Sequence, residues 1–279
     1  MRQTSSILYI AVDSLIPSQG PAAAGFAEFT AELGLRGIPA VWLTNRSRLQ
    51  FDAPRRKFSH GHPFIAEAGC GVYLPEDYFH LRPDSPTSRN KKSPVVRLGR
   101  FTCIPVAELP PAASNALDAL SRDTQVPVVN IRSLSPRELL QNSGLPSSEA
   151  ELARQRDFDE LFFFAGASDA AIEVFLEESR ARNLQLRQNG AFWSLAVGAS
   201  VQVCIRELTK LFDRALRYHA ETVAIATADL AEDLFPNCER RILLTTRKQT
   251  SAPTGAAQEI PLHSSDVWEQ ILENLSPPK

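Results

Sequence analysis

Short apolar runs alternate with amphipathic stretches along most of this chain. The first run, Ser6 to Pro17 (SILYIAVDSLIP), carries Ile7, Leu8, Tyr9 and Ile10 through Ala11 and Val12 to Asp13. A run this apolar, rich in β-branched and aromatic residues and closed by an acid, predicts a parallel strand buried on both faces. Ala22 to Arg36 sets Ala22, Phe26, Phe29 and Leu33 at helical spacing, with Gly37 as the stop. Pro39 to Leu43 reads as a second strand, ending in the polar cluster Thr44, Asn45, Arg46 and Ser47. Phe64 to Leu74 reads as two short strands around Gly69 and Gly71.

The composition then shifts. His80 to Pro94 is polar, basic and proline-bearing, which predicts an exposed loop or linker. A second unit opens with a strand over Val95 to Val106, followed by a helix over Ala112 to Arg122. Ser135, Pro136 and Glu138 form a helix start, with a capping serine, a proline in the first turn and acidic support. Leu161 to Ala165 is a strand, and Ser168 caps a helix over Asp169 to Arg182. Leu184 to Arg187 and Ala191 to Val197 form a hairpin across Asn189-Gly190. A helix (Ser200 to Tyr218), two strands (Thr222 to Ala226, Arg241 to Thr245), a soft loop (Lys248 to Gln258) and a helix (Val267 to Leu275) complete the chain. The expected architecture is α/β: a doubly wound parallel-sheet core from both ends of the chain, residues 1–82 and 195–279, with an inserted α/β domain over 83–194.

Bulk properties narrow the function. The 279 residues are 43% hydrophobic and 22% charged, with net charge -2, so a basic nucleic-acid surface is not expected. Cys70, Cys103, Cys204 and Cys238 lie far apart without a C-x-x-C pair, which predicts buried or free thiols in a reducing compartment. No charged start with a long apolar core is seen, and no apolar run approaches the roughly 18 residues of a membrane span, so a cytoplasmic protein without membrane contact is expected.

Three segments carry a family resemblance: Phe64 to Phe79 (FIAEAGCGVYLPEDYF), Glu151 to Phe164 (ELARQRDFDELFFF) and Asn189 to Ser200 (NGAFWSLAVGAS). In this order the chain resembles the haloacid-dehalogenase-like (HAD) phosphatases with a large α/β cap, and within them the mannosyl-3-phosphoglycerate phosphatases. The resemblance implies a HAD-like core with an inserted cap. It also implies an aspartate nucleophile closing the first strand and an acid/base aspartate two residues later. A hydroxyl after the second strand would bind phosphate, and a lysine and a magnesium-binding aspartate cluster would offset charge. Two anions must meet in such a reaction, so cations and positioned donors are indispensable.

Carried over residue by residue, the pattern breaks at several positions together. The nucleophile position is Ala11, and the acid/base aspartate is Asp13. The lysine position is Val201, and the magnesium positions are Thr227, Leu230 and Ala231. The exit-hairpin arginine and histidine are Ala191 and Ser194. Substitutes are poorly placed. Lys210 lies nine residues beyond Val201, roughly 13 Å along a helix. Asp229 and Asp233 have the wrong spacing.

Asp13 is then either a remnant ligand-binding group or a loop-capping carboxylate. Thr44, Asn45 and Arg46 are either a phosphate-binding remnant or a solvated turn. Arg154, Arg156, Asp157, Glu160 and Asn189 match family positions that face substrate, with intrahelical pairing as the other reading. His60 and His62 read as part of a mobile polar loop, and Phe162, Phe163 and Phe164 as a buried strand. The expectation is a homologue without phosphoryl transfer, acting by binding a protein partner such as an active paralogue, or a phosphosugar, and needing no cofactor. The alternative is an active magnesium-dependent phosphatase hydrolysing a sugar phosphate such as mannosyl-3-phosphoglycerate.

Overall fold

A computed structural model describes residues 6–81, 95–189, 192–246 and 258–275. The N-terminal part contains β1 (Ser6–Ala11), α1 (Phe26–Arg36), β2 (Ala40–Leu43), α2 (Arg48–Lys57), β3 (Phe64–Ala66), β4 (Gly71–Leu74), β5 (Val96–Leu98) and β6 (Phe101–Pro105). The middle contains α3 (Pro110–Thr124), β7 (Val128–Asn130), α4 (Pro136–Ser143), α5 (Ser147–Ala153), β8 (Glu160–Phe164), α6 (Asp169–Ala181), β9 (Leu184–Asn189) and β10 (Phe192–Val197). The chain closes with α7 (Val201–Leu216), β11 (Glu221–Ala226), α8 (Ala228–Leu234), β12 (Arg240–Thr245), β13 (Gln258–Pro261) and α9 (Val267–Asn274).

β1 is central in a sheet ordered β13-β12-β11-β1-β2-β3-β4-β6-β5. From β13 to β3 the pairs are parallel; β4, β6 and β5 extend the edge antiparallel. Successive side chains of a strand point to opposite faces. Leu8 and Ile10 therefore join Phe26, Phe29, Trp42 and Trp268 on one face, while Ile7, Tyr9 and Ala11 join Leu208 and Phe212 on the other. Burial on both faces explains why β1 reads as an unbroken apolar run.

The second sheet, β7-β8-β10-β9, is antiparallel. Phe162 packs with Leu117, Leu120 and Phe175 on one face, and Leu161 packs with Leu139, Ala150 and Phe192 on the other. Ser135 and Glu138 form the expected capping box, and Ser168 accepts from the Ala171 N–H. The four cysteines are buried free thiols.

The sheets divide the chain differently from its composition. The strand expected to open the insert is two strands, β5 and β6, and both belong to the large sheet. β10 lies wholly in the small sheet, past the expected boundary at 194. The crossings sit where the Val106 and Ala107 N–H groups bond the Cys70 carbonyl and the Glu108 N–H bonds the Val197 carbonyl. Residues about 108–198 thus form the cap. A polar-to-apolar shift marked the stretch before β5 rather than the crossing, because an antiparallel extension of the large sheet carries no parallel-strand signature.

His60 is a second correction. It is buried, not part of a mobile loop, and stacks on Trp42 with ring centroids 3.9 Å apart. His62 bonds the Tyr78 hydroxyl at 2.7 Å. The basic stretch Arg89 to Lys92, most of Lys248 to Gln258, and Gly190 of the expected Asn189-Gly190 turn lie outside the described residues, whereas Asn189 ends β9.

Cap and core are joined beyond their crossings. The buried Glu67 carboxylate accepts the backbone N–H groups of Asp157, Phe158 and Asp159 at 2.9, 2.8 and 3.1 Å. Arg156 pairs with Asp159 through two bonds of 2.5 and 2.7 Å and reaches the core at Gln50 and the Asn45 carbonyl. Burial opposes the Arg156 charge, but Asp159 and Glu67 outweigh it and hold the guanidinium ionised. Arg48 and Tyr73 of the core bind Asp157, and Arg187 of β9 forms a bidentate pair with Asp233 of α8.

Two measurements test this architecture. Burial, then His62, holds His60 well below its ordinary value of 6.5, so the folded chain keeps it neutral. The unfolded chain takes up the proton first, so this contribution is complete above that value and is lost as pH falls below it. Melting at about pH 7.5 and about pH 5 should show a larger acid loss for the native protein than for His60→Phe, which keeps the ring stack. Glu67→Ala strips three buried N–H groups of their acceptor and should cost about 3 kcal/mol or more in chemical denaturation. Glu67→Gln, which keeps an acceptor oxygen, should fall in between.

Candidate functional site

The loops after β1, β2 and β11 meet beyond the carboxyl ends of their strands, where open α/β sheets bind ligands. Here Asp13 is the hub. Thr44 donates its hydroxyl to Asp13 Oδ1 at 2.5 Å, and the Asn45 N–H donates to Oδ2 at 2.6 Å. The Arg46 guanidinium lies 3.4 Å from Oδ1 and also donates to the Ile16 carbonyl. Ser14 and Thr227 share a hydroxyl hydrogen bond of 3.0 Å. Asp13, Thr44, Asn45 and Arg46 are therefore brought together as one constellation, with the carboxylate capping the second loop.

Asp13, Asn45 and Arg46 of this constellation floor a cavity of about 770 Å³ roofed by the cap, with Thr44 buried behind them. Asp13, Asn45, Arg46, Thr227 and Leu230 line it from the core, and Leu161, Arg187, Gln188 and Phe192 from the cap. A cavity of this size suits a small organic ligand. Arg187 is held ionised first by its bonds to Asp233.

Four of the positions aligned above with family catalytic groups share one environment. Ala11, Val201, Leu230 and Ala231 are 1, 5, 6 and 0% exposed and belong to a single apolar cluster. Thr227, the fifth, is buried and spends its hydroxyl on Ser14. The residues come from β1, α7 and α8, so the sequence scatters what the fold packs together.

Arg154, Arg156, Asp157 and Glu160, expected to face a substrate, do not line the cavity. Arg156 and Asp157 are consumed in the cap–core junction. Glu160 is fully buried and accepts from Ser114, Asn130 and Arg132. Arg154 bonds the Arg132 carbonyl and pairs with Glu151. These residues follow α5 and are not a helix start, so the intrahelical reading also falls for Arg156, Asp157 and Glu160. The Asn189 backbone pairs with Phe192, and its side chain lies outside the described residues. Gln188 and Phe192, adjoining Asn189 on the same hairpin, are the cap residues that sequence reading missed. The alternation of β9 and β10 gave the only available signal. Lys210 is exposed and pairs with Glu207.

Magnesium demands several oxygen ligands in near-octahedral geometry. Among the described lining residues Asp13 is the sole carboxylate, and its oxygens already accept two donors and face a guanidinium. Asp233 is taken by Arg187. The described lining residues do not fit that ion. Glu67, Cys70 and Asp159 also bring possible ligand atoms within 4.8 Å of one another, but they lie in the junction, where backbone N–H groups load Glu67 and Arg156 loads Asp159. No helix among the described residues is long and apolar enough to cross a membrane.

No protein-family model matches the chain. A curated glucosyl-3-phosphoglycerate/mannosyl-3-phosphoglycerate phosphatase from Methanococcoides burtonii is 23% identical over 197 residues, covering 71% of this chain and 68% of the relative. A phosphatase of the HAD enzyme superfamily from Bacteroides thetaiotaomicron superposes with a TM-score of 0.62 at 15% identity, covering 98% of this chain and 96% of the other. The sucrose-phosphatase from Synechocystis, solved with sucrose and phosphate, gives 0.55 at 11% identity over 99% and 98%. The chain thus has the fold of the haloacid-dehalogenase-like hydrolases, with an inserted cap, and resembles the mannosyl-3-phosphoglycerate phosphatases in sequence.

Proposed function

We propose that this protein is a HAD-fold binding protein without phosphoryl-transfer activity, holding a sugar-class small molecule between core and cap. The observation that carries the reading is the apolar cluster at Ala11, Val201, Leu230 and Ala231. A covalent phosphoryl step needs a carboxylate nucleophile and compensating cations. Methyl and isopropyl groups offer neither. Asp13 does not substitute, because its oxygens are engaged by Thr44 and Asn45 beside Arg46. The sugar class comes from the names of the relatives, and the cavity supplies the space for it.

Phosphate release from mannosyl-3-phosphoglycerate should stay at background with and without magnesium. Magnesium-dependent release that disappears in Asp13→Asn would establish the phosphatase reading instead. Ala11→Asp should not gain activity. It buries a carboxylate among apolar side chains, with a cost of about 3 kcal/mol or more that thermal and chemical unfolding would read. An active and equally stable Ala11→Asp protein would contradict the proposal. Ligand stabilisation of the native protein should be independent of magnesium.

A further inference from the structure

The charge arrangement of the cavity bears on what it accepts. Phosphoryl recognition relies on several N–H and O–H donors with a cation converging on one anion. The core supplies such a set at the end of β2: the Thr44 hydroxyl, the Asn45 N–H and the Arg46 guanidinium. All of them converge on the Asp13 carboxylate, which thus stands as an internal anion where an external one would be held. A phosphate brought to these donors would meet a second negative charge at hydrogen-bond distance. The cap offers no alternative cation, since Arg187 is locked to Asp233 through both terminal nitrogens.

What remains is uncharged. Gln188 from β9, paired with Trp193 of β10 through the backbone ladder, lines the cavity. Ser18 adds a hydroxyl from the loop after β1. Phe192 and Leu161 give the cap side an apolar wall. Amide and hydroxyl groups in one cavity with an apolar wall complement a molecule with hydroxyls on its edges and C–H groups on its faces.

We infer that the cavity takes an uncharged polyhydroxylated ligand, a free sugar or glycoside, and that Asp13 excludes phosphorylated ones by occupying their donors. The inference rests on the proposed reading of the cavity as a binding site and adds its charge selectivity.

Calorimetric titration of the native protein with mannose and sucrose, with their phosphate esters and with inorganic phosphate tests it. At least one neutral sugar should bind saturably, its ester about tenfold more weakly, and inorganic phosphate not at all. Gln188→Leu, a change on the cavity surface, should weaken the neutral sugar about tenfold. Asp13→Ala frees the donors and should acquire phosphate affinity that the native protein lacks. If that variant does not fold, the native protein's preference between sugar and ester decides alone. An ester binding as tightly as its sugar, a folded Asp13→Ala protein indifferent to phosphate, or binding of neither sugar would overturn the inference. Tight ester binding without turnover sinks only this selectivity, whereas magnesium-dependent hydrolysis of the ester sinks the proposed function itself.

Discussion

Three consecutive residues with left-handed backbone, Glu67, Ala68 and Gly69, tie this molecule together. The Glu67 and Ala68 N–H groups bond the Arg46 and Thr44 carbonyls, fixing the loop after β2. The Glu67 side chain holds the cap loop at 157–159. The Gly69 carbonyl accepts from the Ser200 N–H, setting where the chain re-enters the core. A Cβ at Gly69 would lie 2.6 Å from the Val201 nitrogen, so only glycine fits that approach. One short turn thus positions the floor of the cavity, the roof and the start of α7. Burial, then the neighbouring Asp159, push the Glu67 carboxyl up to about 8, and Arg156 and the backbone donors offset only part of that desolvation.

The loops after β1, β2 and β11 converge beyond the strand ends, and the strand order places β1 between β2 and β11. Ala11, Val201, Leu230 and Ala231 pack together as apolar side chains, and the Asp13 carboxylate accepts from Thr44 and Asn45 beside Arg46. Low polarity on one side and a connected polar network on the other strengthen each bond of that network.

Much of the fold was legible locally. The double-sided burial of β1 shows as an unbroken apolar run, and the helix starting at Pro136 shows in Ser135 and Glu138 because capping is satisfied within four residues. α2 was missed: its interior Pro54 and basic end mask the periodicity, and its single large apolar anchor is Phe51. β13 was missed because four residues with one buried side chain carry too little pattern. Arg156, Asp157 and Glu160 match family positions that face substrate, a reading that rests on resemblance and carries no information on their partners in this chain. Their burial depends on Glu67, Arg48 and Asn130, which lie between 30 and 109 residues away.

The sequence by itself determined the alternation of strands and helices, the residue types at Ala11, Val201, Thr227, Leu230 and Ala231, and the near-neutral overall charge of the chain. These follow from local periodicity and residue identity, which need no partner to be read. Only the tertiary structure decided where the cap begins, that the altered positions pack as one cluster, and that Asp13 is bound by the donors beside it. Those are properties of side chains from β1, β2, α7 and α8 that meet only when the central sheet closes, and hydrogen bonding and burial are set by that meeting.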